Sequence, residues 1–170
     1  GVKGCIRLSS GQEVYEGQTI GAVTEDEIRR IQIRTTIQKH LEREQLLYKQ
    51  GIKVLSLFFI DAVENYRVYE AGGNTRKGQW AEIFEEEYQS VLNEVQNLFM
   101  DKDYRQYLKG ISVESTHAGY FSQDKKGNMI NSKVKRGETT ANDPDAYHLI
   151  MRDKERLLSF AEPTRFIFSH

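Results

Sequence analysis

The chain has 170 residues, 29% charged and 38% apolar, with 24 basic and 25 acidic side chains giving a net charge of −1. This balance describes a solvated globular fold with a core, and it excludes a disordered chain or a whole-surface basic field, so any nucleic-acid contact must come from local patches. No apolar run approaches the ~20 residues that cross a bilayer and no signal-peptide pattern is legible; the single cysteine, Cys5, excludes an internal disulfide or a cysteine metal cluster, so a cytoplasmic protein with no membrane contact is expected.

In chain order, Cys5 to Leu8 and Glu13 to Tyr15 flank a small-residue turn and read as a β-ribbon over residues 1–23. Thr24 with Glu27 three residues later is a capping box, and it opens a helix with Ile28, Ile31, Ile37 and Leu41 on its inner face. Gly51 supplies the left-handed end. The run Lys53 to Asp61 is apolar on both faces, which predicts a central parallel strand covered by helices on each side.

A flexible loop follows at Ala71 to Lys77. The stretch Trp80 to Met100 then predicts an amphipathic helix, with Phe84, Tyr88, Val91, Val95 and Leu98 inward and Glu82, Glu85, Glu86 and Glu87 on an outer face unsuited to phosphate. A short helix is expected over Tyr104 to Leu108 and a strand over Ile111 to Ser122. Asp124 to Asn128 then reads as a turn into a hairpin partner at Met129 to Val134. Asp143-Pro144 reads as a cap and first helical position for a helix ending near Phe160, with Tyr147, Ile150, Met151, Leu157 and Leu158 inward. Pro163 ends it, and a last strand leads to His170. The sum is an α/β fold with a mostly parallel sheet.

Complete chemistry is hard to find. Residues 73–80 have the glycine spacing of a phosphate-binding loop, but Gln79 and Trp80 stand where that chemistry needs Lys and Ser or Thr. Pro144-Asp145 would open a metal-dependent nuclease signature, yet Asp153-Lys154-Glu155 and Glu155-Arg156-Leu157 both miss the acidic-x-Lys triplet. His40, His117, His148 and His170 are too far apart for a metal spacing. His40 and His148 read as helix-surface residues. His117 has two readings, a satisfied polar residue at a strand end or a ligand contact at the carboxyl edge of a parallel sheet. Arg29, Arg30 and Arg34 read as a solvated helix face. Lys125 and Lys126 sit at a turn from which they could reach a phosphate backbone.

Four blocks in this order, GIKVLSLFFIDAVENYR (51–67), HAGYFSQDKKG (117–127), YHLIMRDKERLLSF (147–160) and TRFIFSH (164–170), closely resemble the helicase portion of the Res subunit of type III restriction-modification enzymes. The likeness covers about residues 25–170 and is weakest over an insertion at about 70–110. It implies a three-layer RecA-like lobe of P-loop NTPase type, the second lobe of a superfamily 2 helicase, preceded by the ribbon. Val54 to Asp61 match the first strand of that lobe, and His117-Ala118-Gly119 match its His-Gly turn with an inserted alanine. Arg156 to Phe160 match its basic helix and Phe166 to His170 its last strand.

By this resemblance the parent hydrolyses ATP with Mg2+ between two lobes, moves on double-stranded DNA, works with a modification (methyltransferase) subunit in a bacterial cytoplasm, and cuts through a separate nuclease domain. The present chain is expected to be a partial lobe, lacking the first RecA-like lobe, the arginine segment of the ATP site and the nuclease, and to be inactive alone. Asp61, His117, Gly119, Ser169 and His170 would contact the DNA backbone. Lys125 and Lys126 join them on charge and turn position alone. The competing readings are a non-catalytic α/β binding module of merely similar architecture and an independent nuclease, against which the missed triplet argues.

Overall fold

The computed structural model describes residues 5–7, 13–15, 24–70, 72–95, 100–131 and 146–170. Strands β1 (Cys5–Arg7) and β2 (Glu13–Tyr15) pair antiparallel, with Cys5 opposite Tyr15. The Ser9 to Gln12 turn, Leu98 and the Asp143-Pro144 cap lie outside the described residues.

Helix α1 (Glu25–Tyr48) begins with the capping box: Glu27 N–H donates to Thr24 Oγ1 at 3.2 Å, and Thr24 N–H donates back to Glu27 Oε2 at 2.7 Å. Its buried stripe is Ile33, Ile37, His40, Leu41 and Glu44. Ile28 and Ile31, expected inward, are exposed. At ~100° per residue, Ile28 lies about half a turn of the cylinder from Ile37, so both cannot face one core. Gly51, at φ 71°, closes the helix in the left-handed region, its N–H donating to Tyr48 O at 2.9 Å.

Next come β3 (Ser56–Phe59), a 3-10 turn at Val63–Asn65, and the antiparallel pair β4 (Arg67–Tyr69) and β5 (Thr75–Lys77). Helices α2 (Gln79–Val95) and α3 (Lys102–Leu108) follow, α3 capped by the Asp101 side chain. A second 3-10 turn at Val113–Thr116 replaces the first half of the expected strand, which starts only at β6 (His117–Tyr120). Then come the hairpin strands β7 (Ser122–Gln123) and β8 (Met129–Ile130), α4 (Ala146–Leu157) and β9 (Phe166–Ser169).

The main sheet is parallel with order β3-β9-β6. Its centre is therefore β9, whose four residues are all buried, and not β3. Among the described residues β3 is an edge, and Leu57 and Phe59 on it are 43% and 73% exposed. The other face of β3 carries Phe58, which stacks 4.9 Å from Phe168 within a cluster that includes Phe84, Tyr88, Phe166, Ile33 and Ile37. Each fully buried aromatic there contributes roughly 1.5–3 kcal/mol of burial. On the opposite face Leu149 and Leu157 of α4 cover Ile167 and Tyr120, and Leu55 is the only residue near β3 that they reach in that cluster. Tyr147, Met151 and Leu158, expected inward, are exposed because the covered stripe of α4 runs through Leu149 and Leu157 instead.

The acidic face of α2 is also not free. Arg30 donates to Glu86 and Glu87 at 2.8 Å each, and Arg34 donates to Glu87 at 2.8 Å and Glu94 at 2.5 Å. The two helices are zipped by charge, which corrects the solvated reading of Arg30 and Arg34 and the outward reading of Glu87, while Arg29 and Glu82 remain exposed as expected. No helix among the described residues is long and apolar enough to cross a membrane.

Candidate nucleic-acid interface

Parallel strands bring their carboxyl ends to one edge, where short polar loops leave the sheet. Here that edge collects Asp61, Ser169 and His170. The β3–β9 ladder ends with Ile60 N–H donating to Ser169 O at 2.9 Å. One residue further, His170 Nε2 donates to the Asp61 carbonyl at 2.9 Å, which ties the two strand ends together. Asp61 Oδ1 accepts from Asn65 Nδ2 at 2.7 Å. Asp61 and His170 are exposed, whereas the Ser169 side chain is buried.

The β7–β8 hairpin adds the basic residues. Asp124 Oδ1 accepts from the backbone N–H groups of Lys126 and Asn128 at 2.8 Å each, and Gly127 at φ 83° completes the turn. Lys125 and Lys126 stand exposed at its tip. The hairpin is anchored to the loop after Asp61, because Val63 N–H donates to Asn131 Oδ1 at 2.7 Å.

Two other candidates lie elsewhere. His117 opens β6 rather than ending a strand, opposite Phe166 at the amino edge of the sheet. In its neutral form Nε2 donates to Glu85 Oε1 at 3.0 Å and Nδ1 accepts from the Tyr66 hydroxyl at 3.1 Å. Burial lowers its pKa against the opposing pull of Glu85. Both ring nitrogens are engaged, so His117 acts here as a strut between α2 and the sheet. Gly119 lies within β6, where an added Cβ would come 2.5 Å from the Tyr66 ring, so its small size serves packing.

The glycine-spaced loop at 73–80 does not fit a phosphate. Gly72 and Gly73 turn the β4–β5 hairpin at φ 108° and 87°, Gln79 Nε2 donates to Asp26 Oδ2 at 2.7 Å, and Trp80 is buried. Among the described residues no group of three His, Cys, Asp or Glu side chains could hold a metal ion.

Sequence reasoning missed a buried polar cluster at the opposite, amino edge. Arg165 and Glu44 are fully buried and paired, and Tyr104 donates to Glu44 Oε2 at 2.7 Å. Lys53, with its pKa pulled down to about 8 mainly by burial, donates to the Ser159 carbonyl at 3.0 Å. The one signal was an arginine at the entrance to an otherwise apolar strand.

Fold and edge together define an α/β protein with parallel strands whose loop edge is polar and flanked by a basic hairpin. Comparison with known proteins takes this further. Over almost its whole length the chain is similar to a segment of Res subunits of type III restriction-modification enzymes. It is 36% identical over 98% of its length to the EcoPI Res subunit of Escherichia phage P1, and 35% identical over 95% to the EcoP15I Res subunit of Escherichia coli. It is 26% identical over 96% to the StyLTI Res subunit of Salmonella typhimurium. The chain spans 16% of the length of the first two relatives and 17% of the third. No family model matches it.

Proposed function

We propose that the chain is a partial second RecA-like lobe of the ATP-dependent DNA translocase of a type III restriction endonuclease. In this reading the segment works inside a longer Res polypeptide, beside a first lobe and a modification subunit, on double-stranded DNA in the bacterial cytoplasm. The observation that carries it is the convergence of Asp61, Ser169 and His170 on one carboxyl edge, with the Lys125–Lys126 hairpin fastened beside it through Asn131. Loops at such an edge suit sequence-independent contact with a phosphate backbone. His117 and Gly119 stand apart from that edge and serve the packing of the lobe.

ATP and Mg2+ belong, in this reading, to the longer protein. The described residues do not fit a nucleotide site of their own, since the glycine loop at 73–80 is closed by Trp80 and by the Gln79–Asp26 bond. The segment's contribution is a surface that holds DNA and faces the other lobe. The test is ATP turnover with and without DNA. The 170-residue chain is expected to show none, and the full-length protein carrying it to show DNA-stimulated turnover. Turnover by the chain alone, or its absence from the full-length protein with DNA, sinks the proposal.

A further inference from the structure

Beside the carboxyl edge, two antiparallel hairpins meet and leave a groove; one wall is the hairpin already placed at that edge, and the other, β4–β5, has no part in the proposed motor role. In β4–β5, Arg67 stands directly opposite Lys77, and Tyr69 opposite Thr75. Strand alternation therefore puts all four on one face. The β7–β8 hairpin is fastened to this pair, with Met129 N–H donating to the Tyr69 hydroxyl oxygen at 2.8 Å. Arg67, Tyr69, Met129 and Asn131 line the open groove between the two hairpins. Glu64 lines it too, with its Oε2 accepting from Asn131 Nδ2 at 3.2 Å.

Like charges directly opposite each other weaken an antiparallel pair. Lys77 is compensated by Glu85 at 2.6 Å. Arg67 has no carboxylate partner among the described residues, and its guanidinium lies 6.0 Å over the Tyr66 ring. Arg67 is exposed, and with no carboxylate paired to it among the described residues its guanidinium is open to an anion from outside. Lys125 and Lys126, at the tip of the hairpin that forms the other wall, extend the same charge.

We propose that this double-hairpin groove binds the phosphate backbone of nucleic acid, with Arg67 as its anchor. The inference rests on the proposed DNA-motor role and adds a contact that role does not require. Arginine suits it because its planar fork engages two phosphate oxygens at once, which an ammonium cannot do.

The test is a salt series of binding titrations on the full-length protein carrying this segment, using a short labelled duplex of arbitrary sequence and its single strand. Arg67→Ala is expected to weaken binding and to reduce the slope of log affinity against log salt by ~0.9 on duplex or ~0.7 on single strand, the two arms showing which form occupies the groove. Arg67→Lys should keep the slope while binding more weakly. The thermal midpoint of Arg67→Ala should stay level or rise, since a cross-strand repulsion is removed. Salt-dependent binding by the unsubstituted protein with an unaltered slope in Arg67→Ala overturns the groove and leaves the motor role standing. A lowered midpoint accompanying lost binding also overturns it, by assigning Arg67 a structural role. Failure of the unsubstituted protein to bind either probe removes the motor role itself.

Discussion

At the entrance to β9, Arg165 Nε donates to Glu44 Oε2 at 2.8 Å, with both side chains fully buried. The contact joins the last strand to α1 across nearly the whole described chain. Glu44 Oε1 accepts from Val54 N–H at 3.3 Å, Tyr104 donates to Oε2, and Arg165 also contacts Tyr107. Removing one charge leaves the other buried without its partner. Glu44→Gln is therefore expected to cost about 3–5 kcal/mol in urea unfolding, while Glu44→Leu with Arg165→Met recovers most of that loss. A double variant no better than the single one would show that the network, and not the orphaned charge, sets the cost.

The same cluster makes stability depend on pH. Burial lowers the His40 pKa, and Arg165 and Lys53 add to the effect against the pull of Glu44. Burial alone would raise the Glu44 carboxyl, but His40 and Arg165 outweigh it and hold it at about 2. Both folded-state values lie below their unfolded ones. Their contributions are thus full above the unfolded values and decline as pH falls, first below about 6.5 through His40 and then below about 4.3 through Glu44. The thermal midpoint should fall between pH 7 and 5, and less steeply in His40→Gln. A flat midpoint over that interval contradicts the assignment.

Gly119 offers a packing test. Its missing Cβ leaves room for the Tyr66 ring, with Tyr66 Cε1 and Cδ1 2.5 and 2.8 Å from where the atom would stand. Gly119→Ala should destabilise by about 1–3 kcal/mol, and Tyr66→Leu should relieve part of that cost in the double variant. Strict additivity of the two substitutions would mean that they do not share the space.

The DNA contacts can be separated from the structural cations by salt. Lys125→Ala with Lys126→Ala in the full-length protein should flatten the salt slope of DNA binding by about one unit per lost contact. Arg34→Ala should leave the slope unchanged, because that guanidinium is committed to Glu87 and Glu94. A flattened slope in Arg34→Ala would place α1, and not the hairpin, at the nucleic acid.

Local signals were legible wherever the physics is local. The Thr24–Glu27 box, the left-handed Gly51 and the Asp124–Asn128 turn each follow from a few consecutive residues whose own hydrogen bonds decide the backbone. Long-range partnerships were not. Arg30 and Arg34 read as a solvated face until α2 supplies Glu86, Glu87 and Glu94, and the two readings of His117, a satisfied polar residue or a ligand contact, stay open until Glu85 and Tyr66 take both its nitrogens.

The amino-acid sequence by itself determined an α/β chain, most helix starts and turns, and a kinship with Res subunits, because periodicity, caps and motif order are carried by neighbouring residues. Only the tertiary structure decided that β9 and not β3 lies at the centre, that His117 stands at the edge away from Asp61 and His170, and that Arg165 is neutralised by Glu44. Strand order and ion pairing join residues far apart in the chain, and nothing in the local pattern of Val54 to Asp61 or Phe166 to His170 records which one receives a neighbour on both sides.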